Sequence, residues 1–382
     1  MMQLPIPYSR PISSAQLKVD AADFIVRELL EIDHSQNGEH YWIYLSKTNL
    51  NTAYVAHLLS QWAGVPIRDI GYSGLKDRHA ITYQWFSIRL PHKQLPEVSF
   101  EQFASTKLHD GESVQIIDDN WHHRKLNRGT HKHNQFSIRL RQLQGDKTAI
   151  DEALGKIATC GVPNYFGLQR FGHQGNNLPK TQQFFDKLLS SPHAYRPNKK
   201  FAERDGLMIS TARSILFNAM LASRVQDGTW NQAIKGDVLN LSGTGSIFEQ
   251  DDTPSGDIIS RIQSADIHPT APLYGVGTPR HTADAQQKYA AVLGQSELEI
   301  YQQGLIKIQA KLSYRPLRMM VRDLTWLIQG DELQLNFILP KGSFATVVLA
   351  ALVVDLQENA AHEADNKTRS ASVPNRVKSC PL

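Results

Sequence analysis

Cysteine is nearly absent from this 382-residue chain, with Cys160 and Cys380 the only two. That excludes a disulfide framework, and their separation gives no zinc-ligand spacing. Long apolar runs are missing as well. The longest, around Val347 to Val354, is too short to span a bilayer. Met1 to Arg10 has no apolar core of the kind a signal peptide needs, so a reducing, cytoplasmic setting is expected. Net charge is small too: 41 Lys and Arg against 37 Asp and Glu leave +4. So mild a bias does not separate a nucleic-acid binder from an ordinary enzyme. The local absence of acid says more. From Trp121 to Arg141 there is none, against six cations (Arg124, Lys125, Arg128, Lys132, Arg139 and Arg141) and four histidines.

What is present suffices for real cores. Hydrophobic residues make up 41% of the sequence, and the length exceeds that of a usual single domain, so two domains or one with a large insertion are expected. Asp23 to Glu28 reads as a strand with Phe24 and Val26 on one face; Phe24 is either core or an open platform. Tyr41 to Leu45 is a second, aromatic strand. Asn51 or Thr52 can cap a helix running to about Ala63, with Gly64 as its stop. A helix is predicted from Lys147 to Thr159 and an amphipathic one from Met208 to Val225. Another is predicted from about Ala283 to Lys311. The region 227 to 281 reads as loops and short strands, with His268 in a turn. Leu333 to Leu339 alternates as a strand, followed by an apolar helix from Phe344 to Leu356. The late strand, turn and helix belong beside the early elements. Residues 1–160 and 309–357 therefore form one discontinuous domain, 161–308 an insertion, and 358–382 a polar, disordered tail.

Two stretches carry chemistry. Gly74-Leu75-Lys76-Asp77-Arg78-His79-Ala80 brings a carboxylate flanked by two cations to the start of a strand, compatible with a solvated surface turn or a working loop. On an extended chain, Lys76 and Arg78 point away from Asp77, so the cation that pairs with it comes from another segment. The basic stretch ends in the alternating Asn134 to Arg141, with Phe136, Ile138 and Leu140 on one face and Arg139 and Arg141 on the other. Such a loop and strand can track a phosphate backbone or simply be a solvated face. A metal reading of His131 and His133 is disfavoured, because no Cys or carboxylate lies nearby in sequence. Asn164 to Gly172, rich in aromatics and glycine, fits a structured loop that is a packed turn or a site wall.

Gly74 to Ala80 with Thr82 and Gln84, Gly129 to Phe136, Val162-Pro163-Asn164-Tyr165-Phe166-Gly167 to Arg170-Phe171-Gly172, and Leu339-Pro340-Lys341-Gly342-Ser343-Phe344-Ala345-Thr346 together resemble the TruD family of tRNA pseudouridine synthases. The matches run in family order from about Asp23 to Thr346. The resemblance implies an α+β fold: a catalytic domain with a mixed, mainly antiparallel sheet, interrupted by an inserted α/β domain. It also implies isomerisation of uridine at position 13 of tRNA, with no metal and no organic cofactor. Asp77 falls at the catalytic aspartate, while Phe24, Asn134 and Phe136 fall at substrate positions. Lys76, Arg78 and Arg170 are further candidates for substrate contact, and Arg124, Lys125, Arg128 and Lys132 for the RNA backbone. tRNA is the implied partner, and a monomer that touches no membrane is expected. Two departures stand out: His131-Lys132-His133 where a Gly commonly precedes the Asn, and Leu349-Ala350-Ala351-Leu352 in place of the family's Leu-Arg-Glu-Leu. Binding without catalysis on the same fold, or a metal-dependent nuclease, would be the competing functions.

Overall fold

The computed structural model describes residues 4–31, 37–172 and 175–358. The chain begins with strands β1 (Ile12–Leu17), β2 (Phe24–Leu29) and β3 (His40–Thr48), then helix α1 (Thr52–Trp62), β4 (Ile70–Tyr72), β5 (Ile81–Arg89), α2 (Phe100–Ser105), β6 (Ser113–His122) and β7 (His133–Gly145). Next come α3 (Lys147–Cys160), β8 (Val162–Pro163), α4 (Asn177–Ser190), α5 (Ala202–Gln226), β9 (Asp237–Leu241), β10 (Ile247–Gln250) and α6 (Gly256–Gln263). They are followed by β11 (Ile267–Leu273), α7 (Ala283–Leu293), α8 (Ser296–Lys307), β12 (Ser313–Pro316), β13 (Arg318–Met319), β14 (Arg322–Gln329), β15 (Glu332–Pro340), α9 (Ala345–Ala350) and β16 (Val353–Glu358).

These elements gather into two units. One holds Ile12–Lys147, Asp323–Lys341 and the described residues from Val353; the other holds the described residues up to Pro11, Thr148–Arg322 and Gly342–Leu352. The second unit thus extends beyond 161–308. β12 pairs with β11, β13 pairs with β8, and α9 packs on β8, so the flanks of the insertion and the late helix are tied to it. Apart from Glu358, the expected tail lies outside the described residues, as does Cys380.

The first unit is built on one sheet, in the order β14-β15-β7-β2-β5-β3-β6, with β1 on β7, β16 on β1 and β4 on β5. β2 with β5 and β1 with β16 run parallel and the other pairs antiparallel, the mixed, mainly antiparallel sheet that was expected. Helix α1 forms where the sequence placed it. Asn51 accepts the Tyr54 N–H at 2.7 Å, and Val55, Leu58, Leu59 and Trp62 are buried with Ile43, Leu45 and Phe86. The face of β3 and β5 covered by α1 is the face on which the site is assembled.

The second unit differs from several expectations. Its sheet runs β10-β9-β11-β12, so the short strands expected within 227–281 are present, and helix α6 joins them. His268 sits in β11 rather than in a turn, where its Nδ1 accepts from Arg318 Nε at 3.0 Å. Helix α5 begins earlier than predicted and is buried on most sides, because it runs through the core between Phe166, Phe185, Trp230 and Tyr289. The helix predicted over 283–311 breaks at Gly294, which caps α7. The late apolar helix stops at Ala350, since Val353 leaves it to pair with Ile12 of β1.

Candidate active site

Strand register brings the buried polar groups of four strands onto one face. Lys47 of β3 lies opposite Thr82 of β5, Thr82 beside Val26 of β2, Val26 opposite Phe136 of β7, and Phe136 opposite Phe337 of β15. Two residues along each strand the same face recurs, with Leu45 opposite Gln84 and Glu28 opposite Asn134. Lys47, Thr82, Gln84, Glu28 and Asn134 are all buried. A polar row of this kind in a sheet core is costly unless its members bond to something.

Three of them, Gln84, Glu28 and Lys47, are held to the loop that carries Asp77. Gln84 Nε2 donates to the Gly74 carbonyl at 3.2 Å. Thr52, the first residue of α1, donates its hydroxyl to Gln84 Oε1 at 2.8 Å and accepts the Lys76 N–H at 2.9 Å. The Lys76 ammonium lies 2.9 Å from Glu28 Oε2, with side-chain exposures of 5% and 0%. Burial raises the Glu28 carboxyl above its ordinary range, and Lys76 opposes that rise. Arg78 Nε donates to the Asn49 carbonyl, and its guanidinium stands 3.8 Å from Glu112. Both sequence neighbours of Asp77 are therefore turned to other partners, as the extended geometry required.

The cation bonded to the Asp77 backbone comes from β3. Lys47 is fully buried, and its Nζ donates to the backbone carbonyls of Leu50 at 2.5 Å and Asp77 at 3.1 Å. Burial pulls its pKa down to about 7, with Asp77 pushing it back up and Lys76 adding to the fall. Sequence reasoning looked for a cation at the carboxylate and named none; Lys47 bonds to the main chain of Asp77. The available signal was a Lys two residues beyond Leu45 on the inward side of an apolar strand. Asp77 itself is only partly buried, so its side chain can meet a substrate.

Asn134 sits at the edge of the row. Its Nδ2 lies 3.4 Å from His131 Nε2, and its Oδ1 is buried with no hydrogen-bond partner. His131 Nδ1 and Ser73 Oγ are hydrogen-bonded at 2.5 Å, and the His131 backbone N–H donates to the same oxygen. Burial first, then Lys76 and Lys341, bring its pKa down to about 4, so the ring is neutral and its 3.8 Å approach to Glu28 is no ion pair. His131 is thus bound into the scaffold. Among the described residues, no group of three His, Cys, Asp or Glu is placed to hold a metal ion.

The aromatic residues need a correction. Phe24 and Phe136 are 2% and 6% exposed, edge to face with ring centroids 6.2 Å apart, and Phe136 also stacks on Phe337 at 5.4 Å. Lys18 Nζ lies 4.5 Å over Phe24. Both rings are buried, because the alternation that made them candidates also turns them into the sheet core.

The basic stretch divides. Arg141 is held by Asp20, Asp23 and Glu332, and Arg139 lies 3.7 Å from Glu332. The outward arginines of β7 therefore face acids distant in sequence, which alternation alone, open to a phosphate track or a solvated face, did not reveal. Arg124 and Arg128 are exposed, with Arg128 5.7 Å over Tyr72. Lys125 donates to the Arg68 carbonyl, and Lys132 pairs with the exposed Glu31. Arg170 belongs to the second unit, 5.5 Å over Phe166, and its buried Nε has no hydrogen-bond partner. Arg315 lies 4.2 Å over the same ring and is bonded to Asn164 Oδ1 at 2.6 Å.

Comparison with known proteins matches residues 8–182 and 176–352 to the family described as tRNA pseudouridine synthase D (TruD). A tRNA pseudouridine synthase D of Psychrobacter arcticus is 41% identical, over 93% of this chain and 94% of the relative. That of Pseudomonas syringae pv. tomato is 41% identical, over 91% and 94%. A crystal structure from Methanosarcina mazei carrying the same family name has a TM-score of 0.67 at 19% identity, over 92% of this chain and 96% of that one, a likeness of fold.

Proposed function

The chain belongs to the TruD family of tRNA pseudouridine synthases, and from that membership we propose that it isomerises uridine 13 of tRNA to pseudouridine with Asp77 as the catalytic carboxylate. The observation that carries this reading is the partly exposed Asp77 on a loop anchored by Lys47, Thr52, Gln84 and Glu28. The reaction breaks the bond from the sugar C1′ to N1 and joins C1′ to C5; C5 gives up a proton and N1 gains one. Substrate and product are isomers, so neither a co-reactant nor a redox step is needed to balance it. An ionised carboxylate can serve by attack on the sugar, by attack on the base, or by taking a sugar proton.

The uridine must leave its stack to reach Asp77, at a cost of a few kcal/mol. Asn134, with an unpaired Oδ1 in the buried row, is suited to the base edge. Phe24 and Phe136 remain in the proposed substrate set with a condition: stacking a base on either requires the covering side chains to move. Lys76 and Arg78 act through the loop they anchor. Arg124, Lys125, Arg128 and Lys132, with Arg170, meet phosphates. A monomer acting in the cytoplasm, where its substrate is found, completes the reading.

Incubation of purified protein with tRNA, followed by mapping of pseudouridine, tests reaction and position together. Asp77→Asn is expected to bind tRNA with unchanged affinity and to form no pseudouridine. Normal turnover by the variant would remove Asp77 from its role. Binding without modification by the wild type would leave only a binding protein.

A further inference from the structure

Lys47 is a group whose burial the reading of Asp77 does not by itself explain. A Lys in a sheet core gives up its hydration, a cost that most folds avoid by placing an apolar residue there. Here the side chain reaches along the inward face of β3, past Thr82, to the two carbonyls of Leu50 and Asp77. Those carbonyls belong to different segments: the turn that leads into α1, and the loop that leads into β5. One ammonium thus ties the catalytic loop to the turn that leads into α1.

Resting on the reading of Asp77 as the catalytic carboxylate, we propose that Lys47 is its positioning residue, fixing the backbone of Asp77 and setting a buried positive charge behind it. The charged groups around Lys47 agree. Asp77 favours its charged form and Lys76 opposes it, while Lys76 is itself held by Glu28. Arg78 is occupied with Asn49 and Glu112. From β5 and α1 the facing groups are the neutral Thr82, Gln84 and Thr52.

A neutral amine would keep only a weaker bond and no charge, so the clamp loosens as Lys47 titrates. Its pKa of about 7 places that loss within an accessible range. With enzyme in excess over tRNA, the wild-type single-turnover rate should fall about tenfold as pH rises from about 6 to about 9, through the ionisation of a single group. Lys47→Met should lower the rate at pH 6 by about 100-fold, with tRNA affinity within about twofold, and should abolish the alkaline fall. Hydrogen exchange gives a readout independent of turnover: the amides of Lys76 and Ala80 should exchange about tenfold faster in the variant. A flat wild-type profile overturns the proposal even if the variant fails to fold. A folded Lys47→Met protein with wild-type rate and protected loop amides also overturns it. Absence of pseudouridine with wild-type protein would instead overturn the assigned reaction, and loop exchange would still decide the clamp.

Discussion

Glu28 and Lys76 show how the site depends on single buried charges. Removing one member of such a pair leaves the other charged and without solvent, which costs far more than the pair contributes. Glu28→Gln is expected to destabilise the protein by about 3 kcal/mol in urea unfolding. The double variant Glu28→Gln with Lys76→Met should recover most of that loss. A single variant as stable as wild type would show that Lys76 finds water when Glu28 is neutral. At this scale the sequence exposed Asp77 and the aim of its neighbours. It hid Glu28 as a partner, because 47 intervening residues carry no trace of a contact made by strand register.

Among the elements, β4 is the least visible in sequence, three residues that pin the start of the loop carrying Asp77 to β5. Gly71 is what allows it. A Cβ there would lie 2.3 Å from the Leu126 carbonyl oxygen and 2.5 Å from Ser87 Oγ, and Ser87 Oγ already accepts the Leu126 N–H. Backbone cannot yield as a flexible side chain can, so Gly71→Ala should cost roughly 1–3 kcal/mol. Thermal unfolding checks this; an unchanged midpoint would mean the basic loop has room to shift. Where elements were read correctly, local physics sufficed: the Asn51 cap and apolar stripe of α1, and the alternation of β7 and β15. Where they were misread, as in α5 and α9, packing overrode the local pattern. Helix α5 is surrounded by core, and Val353 gains sheet bonds that a longer helix would forgo.

On the scale of the whole molecule, the question is electrostatic, since a chain of net +4 must hold a polyanion with local charge. Replacing Arg124, Lys125 and Lys132 together with Gln should weaken tRNA binding and flatten its salt dependence, by about one unit of log–log slope for each phosphate that is no longer neutralised. Binding titrations across salt concentrations measure it, and an unchanged slope would mark the stretch as an ordinary solvated face. Arg139 and Arg141 are left out of that test because acids already neutralise them.

The sequence by itself determined the strands and helices with clear periodicity, the family, and Asp77 as the residue to explain. These rest on patterns that are local or that recur in order along the chain. Only the tertiary structure decided that Lys47 bonds to the Asp77 carbonyl, that Phe24 and Phe136 face the core, and that the outward arginines of β7 are paired. Each depends on which strands lie side by side and in what register. Register is set by the burial of whole faces, a collective energy that no short stretch of residues records.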